Sequence, residues 1–271
     1  HNDRLVPVIG DLQQPLLGLD EATIADLKGK ITHFCHFAAI YDIAASAEAQ
    51  TATNIDGTRN AIRLAEALSV GCFQHVSSIA AGGLYQGTFR EDMFEEAENY
   101  EHPYFATKHE SEGIVRNECQ VPWRVYRPAM VMGNSKTGEI DKIDGAYYFF
   151  KTLQKMRNIL PPWFPLIGVE GGKFNVVPVD YVVDAMDYIV HQADLDGRCF
   201  HLTDPDHHSI GNLMNIFAEA GHAPRFSMRL DMRMFGFIPS VVRTALGSLP
   251  PVKRIVSNVL EDMGLPDSVM M

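Results

Sequence analysis

The chain has 271 residues, 46% of them apolar, and 23 Lys+Arg against 34 Asp+Glu leave a net charge of −11. That apolar share supplies a core and excludes global disorder, while the acidic balance argues against nucleic-acid binding, which needs a basic footprint. No apolar run reaches the roughly 20 residues of a spanning helix, the first residues lack a signal-peptide pattern, and Cys35, Cys72, Cys119 and Cys199 form no C-x-x-C pair, so a cytoplasmic protein with reduced thiols is expected.

In chain order, Leu5–Ile9 reads as a short strand whose carboxyl end is marked by Gly10-Asp11. Asp20 is the expected N-cap of a helix running to Leu27. A strand over Ile31–Phe37, a helix over Ala49–Leu68, a strand over Cys72–Ser77, a helix over Tyr104–Asn117 and a strand over Trp123–Tyr126 follow. This alternation predicts an α/β fold, a Rossmann-like doubly wound parallel sheet covered on both faces and occupying residues 1–130. After Pro128 the rhythm changes: a Gly- and charge-rich loop over Gly133–Gly145, a helix over Ala146–Met156, and a Pro161-Pro162-Trp163 break. A strand over Lys173–Val179, a helix over Asp180–Ala193, a strand over Cys199–Leu202, a Ser209-capped helix to Ala220 and an apolar stretch over Met232–Leu249 complete the reading. Residues 131–271 therefore read mainly as a smaller mixed substrate lobe, with some segments returning to the sheet.

The chemistry-bearing residues begin with Tyr104-Phe-Ala-Thr-Lys108. Four residues apart on a helix, a phenol and an ammonium share a face, and the ammonium favours phenolate, so the tyrosine can trade protons with a carbonyl or alcohol. A second copy, Tyr147-x-x-x-Lys151, has no strand-end hydroxyl upstream, whereas Tyr104 follows Ser78 by 26 residues. Ser78 closes a predicted central strand, where open α/β sheets bind ligands, though a serine there is also a turn former. Asn54 could equally cap a helix, and His36-Phe-Ala-Ala39 could be plain core. His201, Asp204, Asp206, His207 and His208 read as a Pro-containing turn before a capped helix, so no metal is expected.

The order Gly10-Asp11-Leu12, His36-Phe-Ala-Ala39, Asn54-Ile-Asp-Gly-Thr58, Val76-Ser-Ser78, Tyr104-x-x-x-Lys108 and Tyr126-Arg-Pro128 resembles the extended short-chain dehydrogenase/reductases over nearly the whole chain. Within them Phe37–Asp42, Phe89–Phe94 and Thr137–Gly145 are similar to bacterial fatty acyl-CoA reductases and thioester reductase domains. The resemblance implies a catalytic set of Tyr104 as general acid, Lys108 lowering its pKa and touching the nicotinamide ribose, Ser78 polarising the carbonyl, and Asn54 holding a water on the proton route. It implies that Asp11 and Leu12 contact adenine, that Ala38 and Ala39 line the cofactor, and that Pro128 faces the nicotinamide carboxamide.

The family's opening strand and G-x-x-G-x-x-G turn, which seat the pyrophosphate, do not precede Leu5, which leaves room for a longer chain with further domains. NADPH is expected from the resemblance alone. The implied activity is reduction of a fatty acyl thioester, on CoA or an acyl-carrier protein, to aldehyde and on to alcohol. Two alternatives stay open: another extended-family oxidoreductase or epimerase acting on a hydroxysteroid-like or nucleotide-sugar substrate, and a cofactor-binding scaffold without catalysis. The aromatic and Met side chains of Tyr147–Phe150, Trp163–Phe164 and Met232–Ile238 suggest the wall of an acyl channel or, as readily, core.

Overall fold

The structure, a computed structural model, describes residues 4–41, 45–100, 102–141, 147, 149–170, 173–206 and 208–231. In chain order the elements are α1 (Glu21–Leu27), β1 (His33–His36), α2 (Ala47–Gln50), a π-type turn (Thr51–Asp56), α3 (Gly57–Ala67), β2 (Cys72–Val76), α4 (Pro103–Glu118), β3 (Trp123–Pro128) and β4 (Met130–Met132). Then come α5 (Phe149–Ile159), β5 (Leu166–Glu170), β6 (Lys173–Phe174), β7 (Val176–Pro178), α6 (Val179–Val190), β8 (Arg198–Leu202), β9 (His208–Ser209), α7 (Ile210–Ala220) and β10 (Phe226–Asp231). The chain divides into two compact units, residues 1–131 with 177–203 and residues 132–176 with 204–271.

The first unit is built on a four-stranded sheet in the order β1-β2-β3-β8, every pair parallel. Its central strands β2 and β3 are buried along almost their whole length, polar side chains included. Val125 joins Phe73 and Cys199 in a cluster with Ile62, Leu64 and Ala65 of α3 and Ile114 and Val115 of α4. The next residue, Tyr126, joins Leu202 in a cluster with Val182 and Met186 of α6. That alternation along β3 is the period-2 rule acting in a doubly covered Rossmann-like sheet. Arg124 points to the α6 side, where its guanidinium donates to the carbonyls of Ile189 and Gln192 and to Asp196, closing the carboxyl end of α6 with a positive charge.

In the second unit β5 and β10 pair in parallel and β6 and β9 antiparallel. Leu153 of α5 packs with Ala218 of α7 and with Ala223. Ser209 caps α7 by accepting from the Asn212 amide at 3.3 Å, as Asp20 caps α1 by accepting from Thr23 at 2.6 Å.

Several expected boundaries shift. Leu5–Ile9 forms no strand; Leu5 and Ile9 are 78% and 95% exposed, and no ladder partner for them stands among the described residues, without which an extended segment gains nothing from burial. The expected strand over Lys173–Val179 is interrupted at Asn175, whose side-chain amide exchanges two hydrogen bonds with the backbone of Asp204. Strands β5 and β10 were not foreseen. Part of the Gly133–Gly145 loop and all of Met232–Leu249, with the acyl-channel residues Met232–Ile238, lie outside the described residues.

Candidate active site

Helix α4 opens with His102, whose ring Nδ1 accepts from the Tyr104 amide at 3.2 Å, and with Pro103 at its first position. This start sets the phase of everything that follows: Tyr104, Lys108 and Glu112 recur every fourth residue along one stripe. The stripe faces the carboxyl end of β2. The Tyr104 phenol neighbours the side chain of Ser78. Lys108 is 4% exposed and its Nζ donates to the Val76 carbonyl at 3.0 Å. Ser78 also caps the short 3-10 turn Ile79–Gly82, accepting from the Ala80 amide at 3.1 Å, so its turn-forming and site readings hold together.

Burial raises the Tyr104 pKa and the Ser78 hydrogen bond pulls it partly back. The expectation that Lys108 brings the phenol toward neutrality is therefore corrected: the ammonium is directed at the Val76 carbonyl, and burial dominates. Lys108 itself is brought down by burial to about 8, with the Glu112 carboxylate acting the other way.

Asn54 sits within the π-type turn, not at a helix start, which removes the capping alternative. Its Nδ2 donates to the Ile40 carbonyl at 2.9 Å and to Thr107 Oγ1 at 3.2 Å, and its Oδ1 accepts from the Ile40 amide at 2.7 Å. Thr107 in turn donates to the Tyr104 carbonyl at 3.2 Å. Asn54 thus ties the loop after β1, which carries exposed Ala38 and half-buried Ala39, to the helix that carries Tyr104. Both amide hydrogens are spent in doing so, and the side chain acts here as a bracket.

The remaining expected cofactor residues are placed separately. Asp11 accepts from the Gln13 amide at 2.9 Å. Leu12 accepts from Asn60 of α3 through its carbonyl at 2.8 Å and packs over Gly57, where an added Cβ would meet the leucine at 3.3 Å. Pro128 is buried at the end of β3 opposite Leu202. His201 stacks on Phe89 and its Nε2 accepts from Arg127 at 3.2 Å. Among the described residues no group of His, Cys, Asp and Glu is arranged to hold a metal. The second Tyr-x-x-x-Lys copy is differently employed: the Tyr147 hydroxyl accepts from the Gly133 amide at 2.8 Å and its ring stacks with Phe217.

Sequence reading missed the buried charges beneath the site. Glu112 and Arg127 are both 0% exposed. Arg127 clamps Glu112 through two nitrogens at 2.7 and 3.0 Å and reaches the Met93 carbonyl at 3.0 Å. Its guanidinium also lies 5.0 Å from the centre of the Phe89 ring, so the segment containing Phe89–Phe94 is fastened to β3. The available signal was a charged residue inside the apolar run Val125–Pro128 and an acid one turn beyond Lys108.

Residues 1–186 match the model of an NAD-binding family described as male sterility protein. The chain is 27% identical over 213 residues to a non-canonical nonribosomal peptide synthetase of Aspergillus hancockii, covering 74% of this chain and 20% of that protein. It is 25% identical over 215 residues to an aldehyde reductase of Aspergillus flavus, covering 75% of this chain and 21% of that protein. The chain thus spans about a fifth of the length of these relatives. Among solved structures it superposes with a TM-score of 0.72 and 25% identity on the terminal R domain of the myxalamid PKS-NRPS biosynthetic pathway, over 98% of this chain and 64% of that one.

Proposed function

This chain belongs to the NAD-binding family described as male sterility protein, and from that premise we propose that it is an NADPH-dependent reductase of fatty acyl thioesters carried on CoA or an acyl-carrier protein. Its class, an NAD(P)-dependent oxidoreductase of the short-chain dehydrogenase/reductase type, follows from the membership. The likeness to a terminal R domain and to an aldehyde reductase supports the substrate class. The observation that carries the reading is the juxtaposition of Ser78 and Tyr104 at a strand's carboxyl end, with the Lys108 ammonium one turn along the same helix and bonded to Val76 of that strand.

The residues present fit the nicotinamide end of a dinucleotide. Ala38 and Ala39 offer nothing beyond Cβ to obstruct a flat ring, Lys108 supplies a buried ammonium for a ribose, and Asp11, Leu12 and Pro128 are the remaining contacts in this proposal. A bound nicotinamide supplies the hydride. Ser78 and Tyr104 donate to the thioester carbonyl oxygen, holding the charge that develops there. Tyr104 then delivers its proton to that oxygen. Departure of the thiol leaves the aldehyde, and the same pair is placed to serve a second reduction to the alcohol.

The test is NADPH and NADH consumption by the full-length protein with acyl-CoA, an acyl-carrier-protein thioester and a fatty aldehyde. Turnover of a thioester with NADPH is the expected result. Inactivity on every thioester together with conversion of a nucleotide sugar would replace this reading by the epimerase one.

A further inference from the structure

The stripe on α4 does not stop at Lys108. Glu112, one turn on, receives four hydrogen bonds and has no exposed surface. Its Oε1 accepts from Arg127 at 2.7 Å and from Arg116 at 2.8 Å; its Oε2 accepts from Arg127 at 3.0 Å and from the Ser77 hydroxyl at 2.8 Å. A carboxylate has about four acceptor positions, so all are taken. Ser77 is the residue before Ser78, and its amide donates to the Tyr126 carbonyl at 2.8 Å, extending the β2–β3 ladder by one residue. Two successive residues of the strand end are therefore gripped from the same helix, Val76 by Lys108 and Ser77 by Glu112, and the next, Ser78, lies beside Tyr104.

We propose that Glu112 is a positioning residue for the reductase site, holding the Val76–Ser78 strand end in register with Tyr104 and Lys108. The inference rests on the assignment of Ser78, Tyr104 and Lys108 as the catalytic set. Two grips on consecutive residues leave the strand end one position relative to the helix, and the Ser77 contact is the one next to Ser78. Arg127, buried and bidentate, and Arg116, partly buried, in turn hold Glu112 with fixed geometry.

A second effect follows from charge. Lys108 is faced by Glu112 and Tyr104 from its own helix, by His75 from β2 and by His36 from β1. The two histidines are held neutral by burial, and among the described side chains Glu112 is the charge that acts to keep the ammonium protonated, beside the Val76 carbonyl it donates to. Glu112 is itself faced by Arg116, by Arg127 and Ser77, and by Cys199 and His201 on β8. Burial pushes its carboxyl up, but Arg127, Arg116 and Ser77 together hold it below the usual range, so it stays ionised wherever Lys108 titrates.

The experiment compares Glu112→Gln, Glu112→Asp and Ser77→Ala in the full-length protein. Lys108 is followed by 13C NMR of lysine labelled at Cε, its resonance assigned with Lys108→Arg, without substrate or cofactor. In Glu112→Gln the Lys108 titration should fall by about one pH unit, and kcat should fall about tenfold at pH 8 with KM nearly unchanged. Glu112→Asp should return the titration to the parent's value while kcat recovers only in part. Ser77→Ala should leave the titration alone and lower kcat several-fold. An unchanged Lys108 titration in a folded Glu112→Gln, or parental kcat in Ser77→Ala, overturns the proposal. Should Glu112→Gln fail to fold, Ser77→Ala and Glu112→Asp still decide it. The NMR readout needs no substrate, so failure of the thioester reading would leave it standing.

Discussion

Ser78 caps the Ile79–Gly82 turn with a hydroxyl group that also neighbours the Tyr104 phenol. Because burial raises the Tyr104 pKa, the chemistry depends on polar neighbours to counter it, and a tyrosine without that company cannot substitute. Replacing Tyr104 by Phe in the full-length protein should lower turnover on the order of 100-fold or more, since it removes the proton donor. Tyr147→Phe should leave turnover within a few-fold. It should instead lower the stability of the folded state by about 1 kcal/mol, because the Gly133 amide loses its acceptor. Steady-state kinetics and urea unfolding of both variants check the pair of outcomes; equal losses of turnover would contradict the assignment.

Between β2 and α4 the chain makes a loop whose base is fixed at Gly83. That glycine has φ of 64°, and a Cβ there would collide with the Glu98 carbonyl, to which the Leu84 amide donates at 2.7 Å. Gly83→Ala should cost roughly 1–3 kcal/mol, and hydrogen exchange should rise across residues 84–98 more than in α4; unchanged protection of that loop would show that its base is not what orders it. This loop also marks where sequence reading stops. Apart from Leu5–Ile9, the strands and helices of the first unit were legible from their apolar runs and spacing, and the neighbourhood of Ser78, Tyr104 and Lys108 at the end of β2 was legible from spacing and order. Glu112 and Arg127 were not, since an acid and a base on periodic elements read as solvated faces until a tertiary partner buries both. Strands β5 and β10 escaped for another reason: Pro165 precedes the first, Gly168 interrupts it, and its partner lies more than fifty residues away with no local turn to announce the pairing.

Across the whole molecule, the buried histidines of the sheet set its tolerance of acid. His36 titrates at about 4, lowered by burial and then by Lys108, and His75 is lowered further still by the same causes. Thr58 gives its proton to the Asn54 carbonyl at 2.7 Å, so His36 donates to Thr58 through Nε2 at 3.1 Å and stays neutral. Above the ordinary histidine value near 6.5 both folded and unfolded chains are neutral at these positions. As pH falls from about 6.5 toward 4 the unfolded chain takes up protons that the fold refuses, and His36 alone removes about 3 kcal/mol of stability over that window. Urea midpoints measured from pH 7 to 4.5 should fall accordingly. Neither ring nitrogen of His75 has a hydrogen-bond partner among the described residues, so His75→Leu should flatten the decline without loss at pH 7; a variant curve parallel to the parent's would refute this account. The interleaved course of the chain, finally, bears on synthesis. Strand β8 pairs with β3 across an intervening stretch of about 70 residues, most of it given to the other unit. When β3 has just been made its β8 flank is still unpaired, and Arg127 still lacks its β8 neighbour His201. Closing so long a segment costs entropy before any contact rewards it. The first unit is thus completed only after residues 132–176 of the second have been translated, so the ribosome delivers part of one unit before the sheet of the other can close.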